Sequence, residues 1–158
     1  MGLALFYHLT RSPLEAAMPM ILSRAVGQGW RVVVRGTDAE RMAWLDERLW
    51  LGPDEGFLPH GLAGGPHDDL QPVLLTVAGD LPEGASLMAV EGAEVAPAEC
   101  AGRERVWILF DGNDAAAVAR ARELWSALTG AGVKAQYWSE ESGRWAMKTE
   151  RPAEAAGA

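Results

Sequence analysis

The residues best suited by type and spacing to do chemistry are His60, His67, Asp68 and Asp69, because imidazoles and carboxylates gathered in one loop are ligands that a zinc-type ion takes. Their spacing matches no defined metal motif, and His and Asp are ordinary loop residues, so His60, His67 and Asp68 form an alternative metal reading and no cofactor is expected. Cys100 is the single cysteine, which excludes an internal disulfide and any multi-cysteine zinc site. No histidine neighbours it in sequence, and it reads as an unreactive thiol at an element boundary. Gly61-Leu62-Ala63-Gly64-Gly65 is glycine-rich but lacks the Gly-Lys-Ser/Thr ending of a phosphate loop. The junction His8-Leu9-Thr10-Arg11-Ser12-Pro13 holds no glycine that would let a pyrophosphate approach the backbone. With no nucleophile elbow, no HExxH helix and no isolated carboxylate pair, nothing in the sequence asks for an enzyme.

Aromatic side chains carry more information. The chain has 7 tryptophans, more than one small core requires, and large rings suit peptide pockets. Arg122 and Trp125 stand three positions apart and share one edge of a late helix, with Arg120 displaced around it. A recess made of Trp50, Phe57 and Trp125, with Arg122 on its rim, would take an apolar terminal residue and its carboxylate. The competing reading is that these rings complete the core and that Arg122 is a solvated charge.

The elements that must position these groups follow from periodicity. An apolar run over Leu3–Leu9 reads as a strand, and Leu14, Ala17, Met18, Ile21, Leu22, Ala25 and Val26 repeat at helical spacing, with Pro19 predicting a late start or a bend. Trp30–Arg35 is a second strand, completing a βαβ unit whose strands are expected to form a parallel pair. Thr37 or Asp38 caps a helix carrying Met42, Leu45 and Leu49, which Gly52-Pro53 stops. Residues 54–71 read as a long ordered loop. Strands are expected at Pro72–Val77, Ser86–Val90 and Arg105–Phe110, and a short helix or mixed loop lies between the last two. Asn113 or Asp114 caps an alanine-rich helix over Ala115–Leu128, and Val133–Trp138 alternates like an edge strand. Trp145 is expected to pack back onto the domain.

At 158 residues the chain suits one domain, expected over 1–148 with 149–158 as a frayed tail. The predicted fold class is α/β: a Rossmann-like twisted, mostly parallel sheet with helices on both faces. A net charge of -8 opposes broad attachment to nucleic acid or anionic membranes. No window approaches the roughly 20 apolar residues of a membrane span, and Met1–Leu9 lacks the features of a secretory signal. A cytoplasmic location is expected.

Most of Leu3 to Trp145 resembles the chi subunit of bacterial DNA polymerase III holoenzyme. The resemblance rests on Phe6-Tyr7, Gly29-Trp30-Arg31-Val32, Leu45-Asp46-Glu47-Arg48-Leu49-Trp50, then Phe57-Leu58-Pro59-His60-Gly61-Leu62-Ala63 and Pro72-Val73 in fixed order. Phe110-Asp111-Gly112-Asn113-Asp114, Ala121-Arg122, Trp125 and Gly132 extend it. It implies a Rossmann-like, non-catalytic replication adaptor. Such an adaptor links the clamp-loader assembly, through a psi subunit or another component, to single-stranded DNA-binding protein. It would hold that protein's acidic, phenylalanine-terminated C-terminal tail and so associate with single-stranded DNA indirectly. By position the resemblance implies Trp50, Phe57, Arg122 and Trp125 as tail-binding residues. Val118 and Ser126 stand where some members carry lysine, which leaves Arg120 as a substitute on the basic rim.

Overall fold

A computed structural model describes residues 3–50, 60–62, 72–77, 84–100, 103–140 and 145–151, with the side chain of Trp50 excepted. The chain order is β1 (Leu3–Leu9), α1 (Leu14–Gly27), β2 (Val32–Arg35), α2 (Ala39–Trp50), β3 (Gly61–Leu62) and β4 (Val73–Thr76). It continues with β5 (Ser86–Val90), α3 (Pro97–Cys100), β6 (Arg105–Asp111), α4 (Ala115–Gly130), β7 (Lys134–Ser139) and β8 (Ala146–Arg151). The strands form one sheet in the order β3-β4-β2-β5-β6-β1-β7-β8. Every pairing is parallel except β7 with β8.

Strands covered on both faces read as continuous apolar runs, and Val32-Val33-Val34 and the wholly buried β5 show why these segments sit centrally. Alternate side chains feed two cores. Leu5, Leu9, Val32, Val34, Trp107 and Leu109 meet α1 and α2 on one face. Ala4, Phe6, Leu87, Ile108 and Phe110 meet Cys100 of α3 and Ala121 and Leu128 of α4 on the other. The fold is therefore the expected mostly parallel α/β sheet with helices on both faces. No helix among the described residues is long and apolar enough to cross a membrane.

Four local readings are corrected. β1 and β2 run in the same direction but are not neighbours, because β5 and β6 insert between them. Helix α1 runs unbroken from Leu14 through Pro19, whose fixed φ is helical and whose missing N–H removes only one intrahelical bond. The loop expected over 54–71 contains β3, which pairs with β4 through Gly61↔Leu74 and Leu62↔Leu75; most of that loop lies outside the described residues. β7 is not an edge. Its polar alternation is answered by β8, where Gln136 donates to Glu150 at 2.8 Å across the register pair Gln136↔Glu150. β8 continues to Arg151, so the sheet enters the segment 149–158 that the sequence reads as a tail. Residues 152–158 lie outside the described residues.

The tryptophans expected to exceed the needs of the core mostly serve it. Trp107 is buried in the first core, while Trp30, Trp44, Trp138 and Trp145 pack against that core and Trp125 against the second. Trp145 packs back as expected, its ring centroid 5.0 Å from that of Tyr7.

Candidate functional site

β1 and β6 lie side by side in parallel, with Leu9 opposite Asp111 at their carboxyl ends. The connection leaving β1 passes through α1 on one face toward β2; the connection leaving β6 passes through α4 on the other face toward β7. Divergent connections open a crevice at such a switch point, where α/β proteins generally hold ligands. Here the crevice encloses about 630 Å³ between the Thr10–Ser12 turn, Arg41, Glu91, Asn113 and Arg120.

Local chemistry fixes its walls. Asp114 caps α4 by accepting from the N–H of Ala116 at 2.9 Å, and Asp111 accepts from the N–H of Asn113 at 2.8 Å. Asn113 then donates to the Thr10 carbonyl at 3.0 Å, tying the two strand ends together. Glu140 reaches in from beyond β7. Its Oε2 accepts from the N–H groups of Thr10, Arg11 and Ser12 at 3.1, 3.0 and 2.8 Å, and its Oε1 accepts from the Ser12 hydroxyl at 2.9 Å. Burial pushes this carboxyl's pKa up, but the bonds from Ser12, Arg11 and Thr10 outweigh it and hold the group below the ordinary carboxylate range. On the facing wall Arg41 contacts Glu91 at 2.7 Å. Glu91 takes a left-handed backbone conformation, φ 53°, that non-glycine residues seldom adopt. His8 stacks on Phe110 with centroids 5.2 Å apart, and its Nδ1 accepts from the Tyr137 hydroxyl at 2.9 Å.

A second crevice of about 500 Å³ adjoins the first, between α4 and residues 92–96. Its floor is apolar, made by Ala89, Val95, Ile108, Ala117, Ala121 and Leu124, and Arg120 borders both spaces.

The tail-binding residues read from sequence are distributed as follows. Arg120 and Arg122 are exposed on α4. Trp125 is half-buried, its ring 5.2 Å from Phe6 in an edge-on contact and 5.9 Å from Tyr137, so it belongs chiefly to the core. Trp50 is the last residue of α2, its side chain outside the described residues, and Phe57 lies outside them altogether. Helices α2 and α4 flank opposite faces of the sheet; Arg120, Arg122 and Trp125 share α4, and among the described residues Arg120 meets α2 only through the switch-point crevice that it lines together with Arg41.

Among the alternative metal residues, His60 is committed to packing. It is 2% exposed, and its Nε2 donates to the Asp46 carbonyl at 3.0 Å with the Asp46 carboxylate 3.4 Å away, fastening β3 to α2. His67 and Asp68 lie outside the described residues, and among the described ones no group of three or more His, Cys, Asp or Glu side chains is placed to hold a metal ion. Cys100 is fully buried, and desolvation, with Glu99 adding to it, raises its pKa to about 11, which leaves little thiolate for nucleophilic work at neutral pH.

Glu140 and the His8–Tyr137 pair escaped the sequence reading. No spacing rule links Glu140 to a turn 128 residues earlier, and only the adjacency of β1 and β7 brings them together.

The arrangement is that of a doubly wound α/β protein with open crevices at its switch point, a class suited to holding a ligand or partner. Residues 1–136 match the family described as DNA polymerase III chi subunit, HolC, and the chain belongs to that family. It is thus an accessory subunit of the DNA polymerase III type, with a partner in that assembly. No curated protein matches it.

Proposed function

We propose that the chain is a non-catalytic replication adaptor that links the clamp-loader assembly to single-stranded DNA-binding protein. It does so by holding that protein's acidic, phenylalanine-terminated tail, and it touches single-stranded DNA only through that partner. The observation that carries the reading is the exposed guanidinium of Arg120 at the border of an apolar crevice, with Arg122 also exposed on α4, in a chain of net charge -8. Such a local patch against an acidic background selects a short anionic peptide over a polyanion. Trp50, Phe57 and Trp125 are the aromatic contacts that the family resemblance adds. A psi subunit or another clamp-loader component is the second partner.

Burying one phenylalanine contributes about 1.5–3 kcal/mol, so a single tail is held weakly. Charge-assisted contacts to its carboxylate orient it, and many tails on one filament raise the effective concentration. The test is titration of the full chain with an acidic peptide ending in phenylalanine, beside the same peptide lacking that residue. The reading expects the intact peptide to bind more tightly, added salt to weaken it and Arg122→Ala to weaken it further. Equal binding of the two peptides would sink it.

A further inference from the structure

We propose that the turn Thr10-Arg11-Ser12 is a built oxyanion site held shut by the chain's own Glu140, and that a phosphate-class ligand occupies it once that carboxylate is withdrawn. Three successive backbone N–H groups converge on one oxygen at 2.8 to 3.1 Å, directly ahead of the 14-residue helix α1. Consecutive amides aimed at one point before a helix N-terminus form an anion nest, with the helix dipole adding to it. The nest stands at the carboxyl ends of parallel strands, beside the switch point, where doubly wound proteins bind phosphates. The resident anion is Glu140, 5% exposed and delivered from beyond β7.

The fit of this resident is incomplete. A planar carboxylate offers two oxygens, and both are used: one by the three amides, the other by the Ser12 hydroxyl. The Thr10 Oγ1 atom, at the same turn, is buried and has no hydrogen-bond partner among the described residues. Leaving a hydroxyl unpaired is unfavourable, and a tetrahedral oxyanion carries the extra oxygen that would pair it. Thr10, Arg11 and Ser12 also line the crevice of about 630 Å³, which leaves room beside the turn for the rest of a phosphate monoester. The turn has no glycine, so side chains at each position keep a diphosphate from lying along the backbone, and the site suits a single oxyanion. In the wild type Glu140 excludes such a ligand by occupancy and by like charge.

The test is an amide NMR titration of the full chain with inorganic phosphate, for wild type and Glu140→Ala, at constant ionic strength. A competent state present less than one-tenth of the time raises the apparent Kd at least about tenfold, so the variant is expected to bind at least about tenfold more tightly. The signals of Thr10, Arg11 and Ser12 should move saturably in the variant. A folded Glu140→Ala whose three amides ignore phosphate, or a wild type that binds phosphate equally well, overturns the proposal. If Glu140→Ala does not fold, Glu140→Gln decides. It keeps an acceptor over the nest and loses the charge, so those three amide signals should shift from their wild-type positions, and phosphate should bind more tightly than in wild type. Unmoved signals, or phosphate binding no tighter than wild type, overturn it.

Discussion

Glu99 receives both terminal nitrogens of the Arg35 guanidinium, at 2.9 and 2.8 Å, so the end of β2 is clamped to the short helix α3. The pair is largely enclosed, with the Arg35 and Glu99 side chains 13% and 28% exposed, and Arg35 also donates to the Glu94 carbonyl at 3.0 Å. A four-residue helix has too few internal bonds to persist alone. Arg35→Ala is expected to cost about 1–3 kcal/mol, measured by urea unfolding, because it strands a partly buried carboxylate. A loss below about 0.5 kcal/mol would class the pair with ordinary surface bridges.

Acid should weaken the protein through two carboxyls. The Arg35 hydrogen bond holds Glu99 below the ordinary range against its burial, and the turn amides and Ser12 hydroxyl do the same for Glu140. A carboxyl whose folded pKa is depressed adds stability that is fully present above its unfolded value of about 4.3, and this is lost as pH falls through the folded value. Unfolding free energy is therefore expected to drop as pH goes from about 5 toward 3, and Glu99→Gln should flatten that limb. Asp46, raised chiefly by burial, contributes the opposite slope, so the difference between variant and wild type is the quantity to compare. An acid limb unchanged in Glu99→Gln would contradict the assignment.

Much of this was legible in the sequence. β1 and β5 emerge with the bounds expected of them, because a buried parallel strand is an uninterrupted apolar run whatever its neighbours. Asp114 was one of two expected caps, and its side chain does the capping. Strand order was not legible, since periodicity fixes which face a residue takes but not which strand lies alongside. β8 was missed because Ala146-Met147-Lys148-Thr149-Glu150-Arg151 has one large apolar residue and pairs through its backbone and Glu150. In the candidate site, Arg120 and Arg122 were legible as exposed helix charges. The packing of Trp125 was not legible, because helical spacing cannot tell a ring turned to solvent from one set against Phe6.

That packing changes how binding variants must be read. Trp125→Ala removes contacts to Phe6 and Tyr137 and should lower stability by about 2–4 kcal/mol. Arg122→Ala touches an exposed side chain and should stay within about 0.5 kcal/mol of wild type. Thermal unfolding of both, run before any peptide titration, separates loss of a contact from loss of the fold. Equal stability of the two variants would show that the indole is not part of the core.

Cys100 should behave as an inert thiol. With its pKa raised to about 11 and its side chain fully buried, the thiolate fraction at pH 8 is about one part in a thousand. A thiol reagent should label the folded chain only as fast as it opens, so labelling should accelerate with urea in step with unfolding. Rapid labelling of the native protein at pH 8 would contradict this. Cys100→Ser should cost about 1–3 kcal/mol by burying a hydroxyl in the second core.

Gly112 is where the chain passes from β6 toward α4, and the space beside its Cα is already taken. Its N–H donates to the Leu9 carbonyl at 2.6 Å, and a Cβ added there would collide with the His8 ring and sit 2.9 Å from that same carbonyl oxygen. Gly112→Ala must therefore shift either the ring or the β1–β6 junction, at about 1–3 kcal/mol. The two obstacles can be told apart. His8→Ala removes the ring but not the Leu9 carbonyl, so in the His8→Ala background the cost of Gly112→Ala should shrink without vanishing. His8 also accepts from Tyr137, whose ring touches Trp125, so Gly112→Ala should change the near-ultraviolet circular dichroism as well. Additive costs in the double-mutant cycle would mean that the ring yields freely and that the backbone contact alone requires glycine.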